Sequence, residues 1–312
     1  MDDQFGPEVS DVIVDYDAST LARRDVLKDR ALAALAQSPA IARRLARNLS
    51  ATADGHIVRS EVDGILIRSH LELQRLHEEF RIAPMMRDLL RPLIALAREA
   101  TGRKRIRIVD LGCGMGFIVR WLAANGELGA DRGDVELIGA DYNLALLEAA
   151  KRLATDEMLP VRFVAANAFE LDDAPADIVM STGVLHHFRG TSLDDLFANH
   201  ERSSAVAFLH ADIRPSVVAP PGSWVFHRAR MREPLAKFDG YWSAVRAHDA
   251  QTLRKSIASS APGFALGLVD AKITSVLALL RIFQVAVAVR RPHVASLAQS
   301  YKHLGRRFEV VA

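Results

Sequence analysis

Ile106-Arg107-Ile108-Val109-Asp110-Leu111-Gly112-Cys113-Gly114-Met115-Gly116-Phe117 is the stretch that decides the fold. It follows a basic turn, Gly102-Arg103-Lys104-Arg105, and opens on alternating β-branched residues. Glycines then stand at alternate positions, and Ile118, Val119, Trp121, Leu122 and Ala123 recur at helical spacing. That order predicts a buried strand, a tight turn and a helix. Glycines at 112, 114 and 116 remove side chains from the turn, so the backbone can take positive φ and come close to a ligand. The helix start offers unpaired N–H groups. Asp110, at the strand end, can accept hydrogen bonds from a cationic or hydroxylated ligand. Taken alone, the loop reads equally well as a ligand cradle or as a structural βα turn.

Spacing separates ligand classes. A dinucleotide site has G-x-G-x-x-G, with the pyrophosphate on the helix N-terminus. This chain has G-x-G-x-G, with an acid two residues before the first glycine. Asp110-Leu111-Gly112-Cys113-Gly114-Met115-Gly116 resembles motif I of the class I S-adenosylmethionine-dependent methyltransferases. In that family the loop wraps the amino-acid end of the cofactor.

Further matches follow in order. Val135 to Asp141 is a second apolar strand ending in an acid, and a carboxylate there can take both ribose hydroxyls. Tyr142 can lie against the adenine. Val161 to Phe169 is a third strand running into Asn167 and Ala168, where the resemblance implies contact with the adenine. Ala176 to Phe188, with Ser181 at the strand end and Leu185-His186-His187-Phe188 after it, resembles motif IV and its turn. The match in kind, order and spacing runs from about Arg105 to Pro215. It implies a cofactor site of Asp110, Gly112, Cys113, Gly114, Gly116, Asp141, Tyr142, Asn167, Ala168 and Ser181. S-adenosylmethionine is the expected cofactor and S-adenosylhomocysteine the expected product.

Strands 106–110, 135–140, 161–165, 176–181 and 204–210 alternate with helices 117–125, 144–155 and 192–202. The pattern predicts parallel βαβ units in a Rossmann-like, doubly wound, mostly parallel α/β sheet of seven strands. In such sheets ligands bind outside the carboxyl ends of the strands, where Asp110, Asp141, Asn167 and Ser181 all fall. Residues 264–269 and 307–311 are the expected sixth and seventh strands. Asp249 is the expected cap of the helix that begins near it.

Residues 1–100 read as a helical lid or substrate lobe, with helices over Leu21–Ala36, Ile41–Leu49, Val62–Phe80 and Met85–Ala100, the last two punctuated by Pro84. Residues 101–312 read as the cofactor-binding core, with 215–260 and 270–304 as lid or interface insertions. Trp224, Phe226, Met231, Phe238, Tyr241 and Trp242 crowd one insertion, either packing lobe onto core or walling an apolar pocket. The other holds an apolar run, Ile273–Val289, read as a buried or interfacial helix. Interrupted by Arg281 and Gln284, it is short of the ~20 residues that a membrane span needs. A homodimer through 273–289 is the assembly that would use it.

The chain has 312 residues, half of them apolar, and a formal charge of +2. No basic tail points to nucleic acid. Cys113 is the only cysteine, so no intramolecular disulfide forms; with no signal peptide in view, a reducing cytoplasm is the expected setting. No closely spaced set of His, Cys, Asp and Glu predicts a metal. His70 and His77 share a helical face that is either solvated or closes over the substrate, and Met85 and Met86 either fill core or line a pocket. His186 and His187 are the candidate bases, against the alternative that the pair only shapes its loop. His210 and His227 are secondary candidates. The expected activity is methyl transfer to a small organic acceptor, phenolic or polyketide-like, with O-methylation favoured. The alternatives are an NAD(P)-dependent oxidoreductase and a non-catalytic scaffold with the same fold.

Overall fold

The computed structural model describes residues 7–130, 132–171, 175–270, 283–303 and 308–310. The chain divides into two compact units, one of Met1–Leu76 with Pro215–Arg246 and one of His77–Arg214 with Ala247–Ala312.

The second unit holds a single sheet. Its strands are β1 (Ile106–Leu111), β2 (Val135–Asp141), β3 (Val161–Ala165), β4 (Ile178–Thr182), β5 (Ala207–Ile213), β6 (Phe264–Asp270), β7 (Phe283–Arg290) and β8 (Phe308–Val310). They lie in the order β8-β6-β7-β5-β4-β1-β2-β3. β5, β4, β1, β2 and β3 are mutually parallel, and β7 runs antiparallel to both β5 and β6. A doubly wound sheet of seven strands is therefore present, with three-residue β8 added at its edge against β6.

Central strands of such a sheet are covered on both faces and read as continuous apolar runs. Ile106, Ile108, Val109, Leu137, Ile138, Ile178 and Val179 are accordingly fully buried. Helices α1 (Ile82–Thr101), α2 (Phe117–Ala124), α3 (Leu144–Asp156), α4 (Thr191–Arg202), α5 (Ala250–Ser260) and α6 (Val294–His303) belong to this unit. The sites of start and stop are chemical. Asn143 caps α3 by accepting from the N–H groups of Ala145 and Leu146, and Asp249 caps α5 by accepting from Thr252. Gly102, with φ +66°, ends α1.

Three expectations are corrected here. Residues 283–289 are strand rather than helix: β7 pairs from Phe283↔Ile213 to Val289↔Ala207 on one side and with β6 on the other. Val285, Val287 and Val289 repeat at the period of a strand, and bulk apolarity hid that period. Residues 273–282 lie outside the described residues. The sheet's antiparallel pair is thus β6 with β7, and 308–310 is only an edge addition; residues 307 and 311 also lie outside the described residues. Finally, the helix near 85–100 belongs to the sheet unit. Pro84 does not break it, because a proline in the first turn forfeits no intrahelical bond. Leu89, Leu90 and Leu93 are fully buried, and the Tyr301 hydroxyl donates to the Leu89 carbonyl at 3.0 Å.

The first unit holds the helices Val9–Ile13, Lys28–Ala34, Ala40–Asn48, most of Arg59–Glu79, Ala219–Arg230 and Pro234–Val245. The helix expected from Leu21 starts only at Lys28. Before it, Asp17 accepts from the N–H groups of Ser19 and Thr20 and Leu21 takes φ +55°, which turns the chain into a two-residue ladder of Arg23–Arg24 with Asp15–Tyr16. Glu72, on the long helix, accepts the N–H groups of Arg232 and Glu233 at 2.9–3.0 Å and so anchors the start of Pro234–Val245. Residues 215–246 form a helical pair, Ala219–Arg230 with Pro234–Val245. Prolines in the first turn of Ala219–Arg230 are compatible with it.

Candidate active site

The glycine turn sits between β1 and α2. Gly112, Gly114 and Gly116 have φ of +66°, +54° and +68°. The turn is packed as well as permissive. A Cβ on Gly112 would come within 2.8 Å of Val184 Cγ2, and one on Gly116 would strike the Phe163 ring. That ring also covers Gly139, where a Cβ would stand 2.6 Å from it and 2.9 Å from Cys113 Sγ. β3 and the loop after β4 therefore hold the turn in place. Cys113 donates its N–H to Ala140 at 3.1 Å, and burial pushes its thiol well above the usual range, a packing role rather than a reactive one.

Asp141 ends β2 and accepts two backbone bonds, from Gly114 N–H at 2.8 Å and Asn143 N–H at 2.8 Å. It is thus the clamp that fixes the middle of the turn. An ionised carboxylate has about four acceptor sites and can take several donors at once. Asp110 is the penultimate residue of β1 and is 3% exposed. No donor among the described residues reaches its carboxyl. Burial, and then the charge of Asp141, push it up to about 8. A buried carboxyl of this kind is matched by a cationic ligand, which would return it to the ionised form.

The remaining residues of the expected cofactor site fall as follows. Tyr142, directly after β2, is half exposed. Asn167 follows β3, and its Oδ1 accepts the Phe169 N–H at 3.0 Å, with Ala168 beside it in the same turn. Ser181 is on β4 but its hydroxyl is engaged inside the sheet packing, 2.8 Å from His210 Nδ1. His210 Nε2 in turn lies 3.0 Å from His200 Nε2. Burial holds His210 at about 3 and His200 well below its usual range, so both rings stay neutral and structural. The neighbouring Thr182 presents a buried Oγ1 with no hydrogen-bond partner among the described residues.

His186 and His187 lie in a short 3-10 turn after β4, their rings 4.4 Å apart. The structure adds Asp212, at the end of β5. Its carboxylate receives the His186 backbone N–H at 3.0 Å and lies 2.8 and 3.1 Å from His186 Nδ1. Burial raises the Asp212 carboxyl, but the charge of His186, its ring and backbone hydrogen bonds and the Ile213 N–H outweigh this and hold it below its usual range. The Asp212 carboxylate thereby sets the orientation of the His186 ring. His248 braces the same turn, its Nε2 donating to the carbonyls of Leu185 and Phe188 at 3.1 and 2.7 Å. Sequence reasoning ended β5 at His210 and so passed over Asp212, although it is an acid at a strand's carboxyl end like Asp110 and Asp141.

Outside this site, His70 Nδ1 bonds the Leu66 carbonyl at 2.9 Å and His77 lies 6.1 Å from the Phe117 ring. Met85 and Met86 are buried core, and His227 Nδ1 bonds the Ala236 carbonyl at 2.9 Å.

Known proteins resemble the chain as follows. Residues 108–205 match the family model described as a methyltransferase domain. No curated protein matches the chain. Among solved structures, it is similar to the plantazolicin methyltransferase BpumL in complex with a pentazolic desmethylPZN analog and SAH, at 11% identity over 75% of this chain and 99% of that one, with a TM-score of 0.48. It is also similar to magnesium protoporphyrin IX methyltransferase from Synechocystis PCC 6803 with bound SAH, at 16% identity over 69% and 87%, with a TM-score of 0.43. A SAM-dependent methyltransferase from Aquifex aeolicus aligns at 12% identity over 59% and 82%, with a TM-score of 0.41. Residues 108–205, which hold the glycine turn, Asp141 and the histidine turn after β4, are thus similar to a methyltransferase domain.

Proposed function

We propose that the chain transfers a methyl group from S-adenosylmethionine to a small organic acceptor, phenolic or polyketide-like, with oxygen as the favoured receiving atom. The observation that carries the reading is Asp110. A buried carboxyl that no donor among the described residues reaches, beside the Asp141 carboxylate and a glycine-rich turn, suits a ligand with a cationic end.

When bound, the donor supplies a methyl already activated on a sulfonium. This chain's residues have to hold, orient and exclude water. Asp110 and the turn 112–116 would hold the amino-acid half, with Cys113 contributing backbone. Asp141, at the end of β2, would hold the ribose hydroxyls. Tyr142 would lie on the adenine, with Asn167 and Ala168 at its edge. Ser181, committed to His210, would support β4, and Thr182 Oγ1 is the hydroxyl available beside the turn. Orientation of this kind is worth up to ~7–11 kcal/mol in favourable cases.

His186 is the base of choice. Asp212 holds its ring through Nδ1, the proton of a phenol or hydroxyl would go to Nε2, and the His187 ring lies tilted beside it at 4.4 Å between centroids. Phenols have a pKa near 10, so assistance from an imidazole base suits an oxygen acceptor.

Titration calorimetry with S-adenosylhomocysteine tests the donor side. Wild type should bind, and Asp141→Ala should bind about 1.5–3 kcal/mol more weakly. Folded protein that gives no heat with S-adenosylmethionine or its product overturns the reading. A panel of phenolic, amine and carbon acceptors with labelled donor tests the acceptor side, and labelling confined to amines would remove the oxygen preference.

A further inference from the structure

The helix Ala219–Arg230 buries none of its residues, although one of its faces is firmly held. On that face Ser223 Oγ donates to the Gly240 carbonyl at 2.5 Å and His227 Nδ1 bonds the Ala236 carbonyl. Any Cβ at Gly240 would collide with the His227 ring, so the two helices are in close contact there. The other face is apolar and open. Val218, Pro221, Val225 and Ala229 follow one another at helical spacing, with Trp224 alongside. Val217 is 94% exposed, Val218 69%, Val225 59% and Trp224 46%. Four large apolar residues in one short run are more than scattered surface apolarity.

Charge says what covers this face. Residues 215–232 contain Arg228, Arg230 and Arg232 and no Asp or Glu. Arg228 and Arg232 are exposed, and the Arg228 guanidinium lies 4.6 Å over the Trp224 ring. The next acid, Glu233, is mostly shielded and paired with Arg68. Trp and Val on a helix surface with arginines around them, and no anion among them, is the composition of a helix that lies in a lipid interface. Tryptophan ring and arginine stem both place an apolar body under a polar head. No helix among the described residues is long and apolar enough to cross a membrane, so the contact would be peripheral.

We infer that the 217–232 face docks on an anionic lipid surface, seating Val217, Val218, Trp224 and Val225 at the headgroup boundary with Arg228 and Arg232 against lipid phosphates. This inference is independent of the methyl-transfer reading, since it concerns a different surface and is read by binding alone.

Flotation of the full chain with vesicles tests it. Vesicles of phosphatidylglycerol mixed with phosphatidylcholine should carry the protein, and added salt should release it. Phosphatidylcholine alone should carry little. Tryptophan emission should shift to the blue on the mixed vesicles, and Trp224→Phe should remove the shift while Trp121 and Trp242 remain. Val225→Glu, and separately the pair Arg228→Glu with Arg232→Glu, should each lower partitioning about tenfold or more. These positions are exposed, so an unchanged thermal midpoint confirms that the variants fold. Absence of vesicle binding overturns the inference, as does equal binding to the two vesicle types. A concentration-dependent dimer that Val225→Glu dissociates, without vesicle binding, also overturns it and assigns the face to a second copy.

Discussion

Asp110 shows how one buried group can report on a ligand. Its carboxyl is protonated in the free protein up to about pH 8, through burial and the charge of Asp141. A cationic donor favours the ionised form, so binding below that pH must expel a proton. Calorimetric heats for S-adenosylhomocysteine should therefore depend on the ionisation enthalpy of the buffer, and affinity should rise with pH toward about 8. Asp110→Asn should abolish both effects and weaken binding by roughly 1.5–3 kcal/mol. Identical heats in all buffers for the wild type would separate Asp110 from the ligand. Asp212 gives a second expectation. It is held ionised and fixes the His186 ring. Asp212→Asn should leave cofactor affinity intact and lower kcat by about 10²-fold. An unaltered kcat would mean that the pair only shapes its turn.

At the scale of elements, the site depends on a glycine turn braced from two sides, by Val184 against Gly112 and Phe163 against Gly116 and Gly139. Gly116→Ala adds a Cβ inside the Phe163 ring and keeps a positive φ that alanine disfavours. It should cost about 1–3 kcal/mol in stability. Phe163→Leu in the same chain should recover part of that loss, because the two changes meet in one contact; strict additivity in urea melts would show that φ alone sets the cost. Much of this element was legible in sequence. β-branched alternation marked β1, the glycines marked the turn, and the strand-end acids marked two of the carboxylates. Other elements were not legible, for physical reasons. β7 is buried on both faces and has alternating Val and Ala, so it lacks the polar alternation that separates strand from helix. Its neighbour 273–282 added apolarity without period. The helix Ala219–Arg230 was hidden behind Pro220-Pro221-Gly222, which reads as a turn unless the prolines fall in a first helical turn. Asp212 lay two residues past a strand end set too early. The commitment of Ser181 to His210 depends on which way β4 faces, and adjacent Ser181 and Thr182 cannot be told apart by composition.

Over the sheet unit as a whole, buried titratable groups oppose one another, and their signs predict the pH of greatest stability. Asp110 is raised from 3.8 to about 8, so the folded state holds a proton that the unfolded state has lost. Stability must fall as pH rises through that window. His210 is lowered from 6.5 to about 3, and His200 and His248 are lowered too, each chiefly by burial. The unfolded chain takes up these protons below 6.5 while the folded one does not, so stability must fall as pH drops through that range. Just above 6.5 the carboxyl acts, joined at higher pH by the raised Cys113 thiol, and below 6.5 three imidazoles outweigh one carboxyl. Stability should therefore peak near about pH 6.5 and decline on both sides. Each uncompensated proton contributes a slope of about 1.4 kcal/mol per pH unit. His200→Phe keeps a ring beside Phe197 and Phe208 and removes one titrating group, so it should make the acid limb shallower by up to that slope. Asp110→Asn should flatten the alkaline limb instead. Urea midpoints of both variants and the wild type, taken across the range, decide the matter: an acid limb unchanged by His200→Phe would mean that the buried Ser181–His210–His200 chain already exchanges protons with solvent in the folded state.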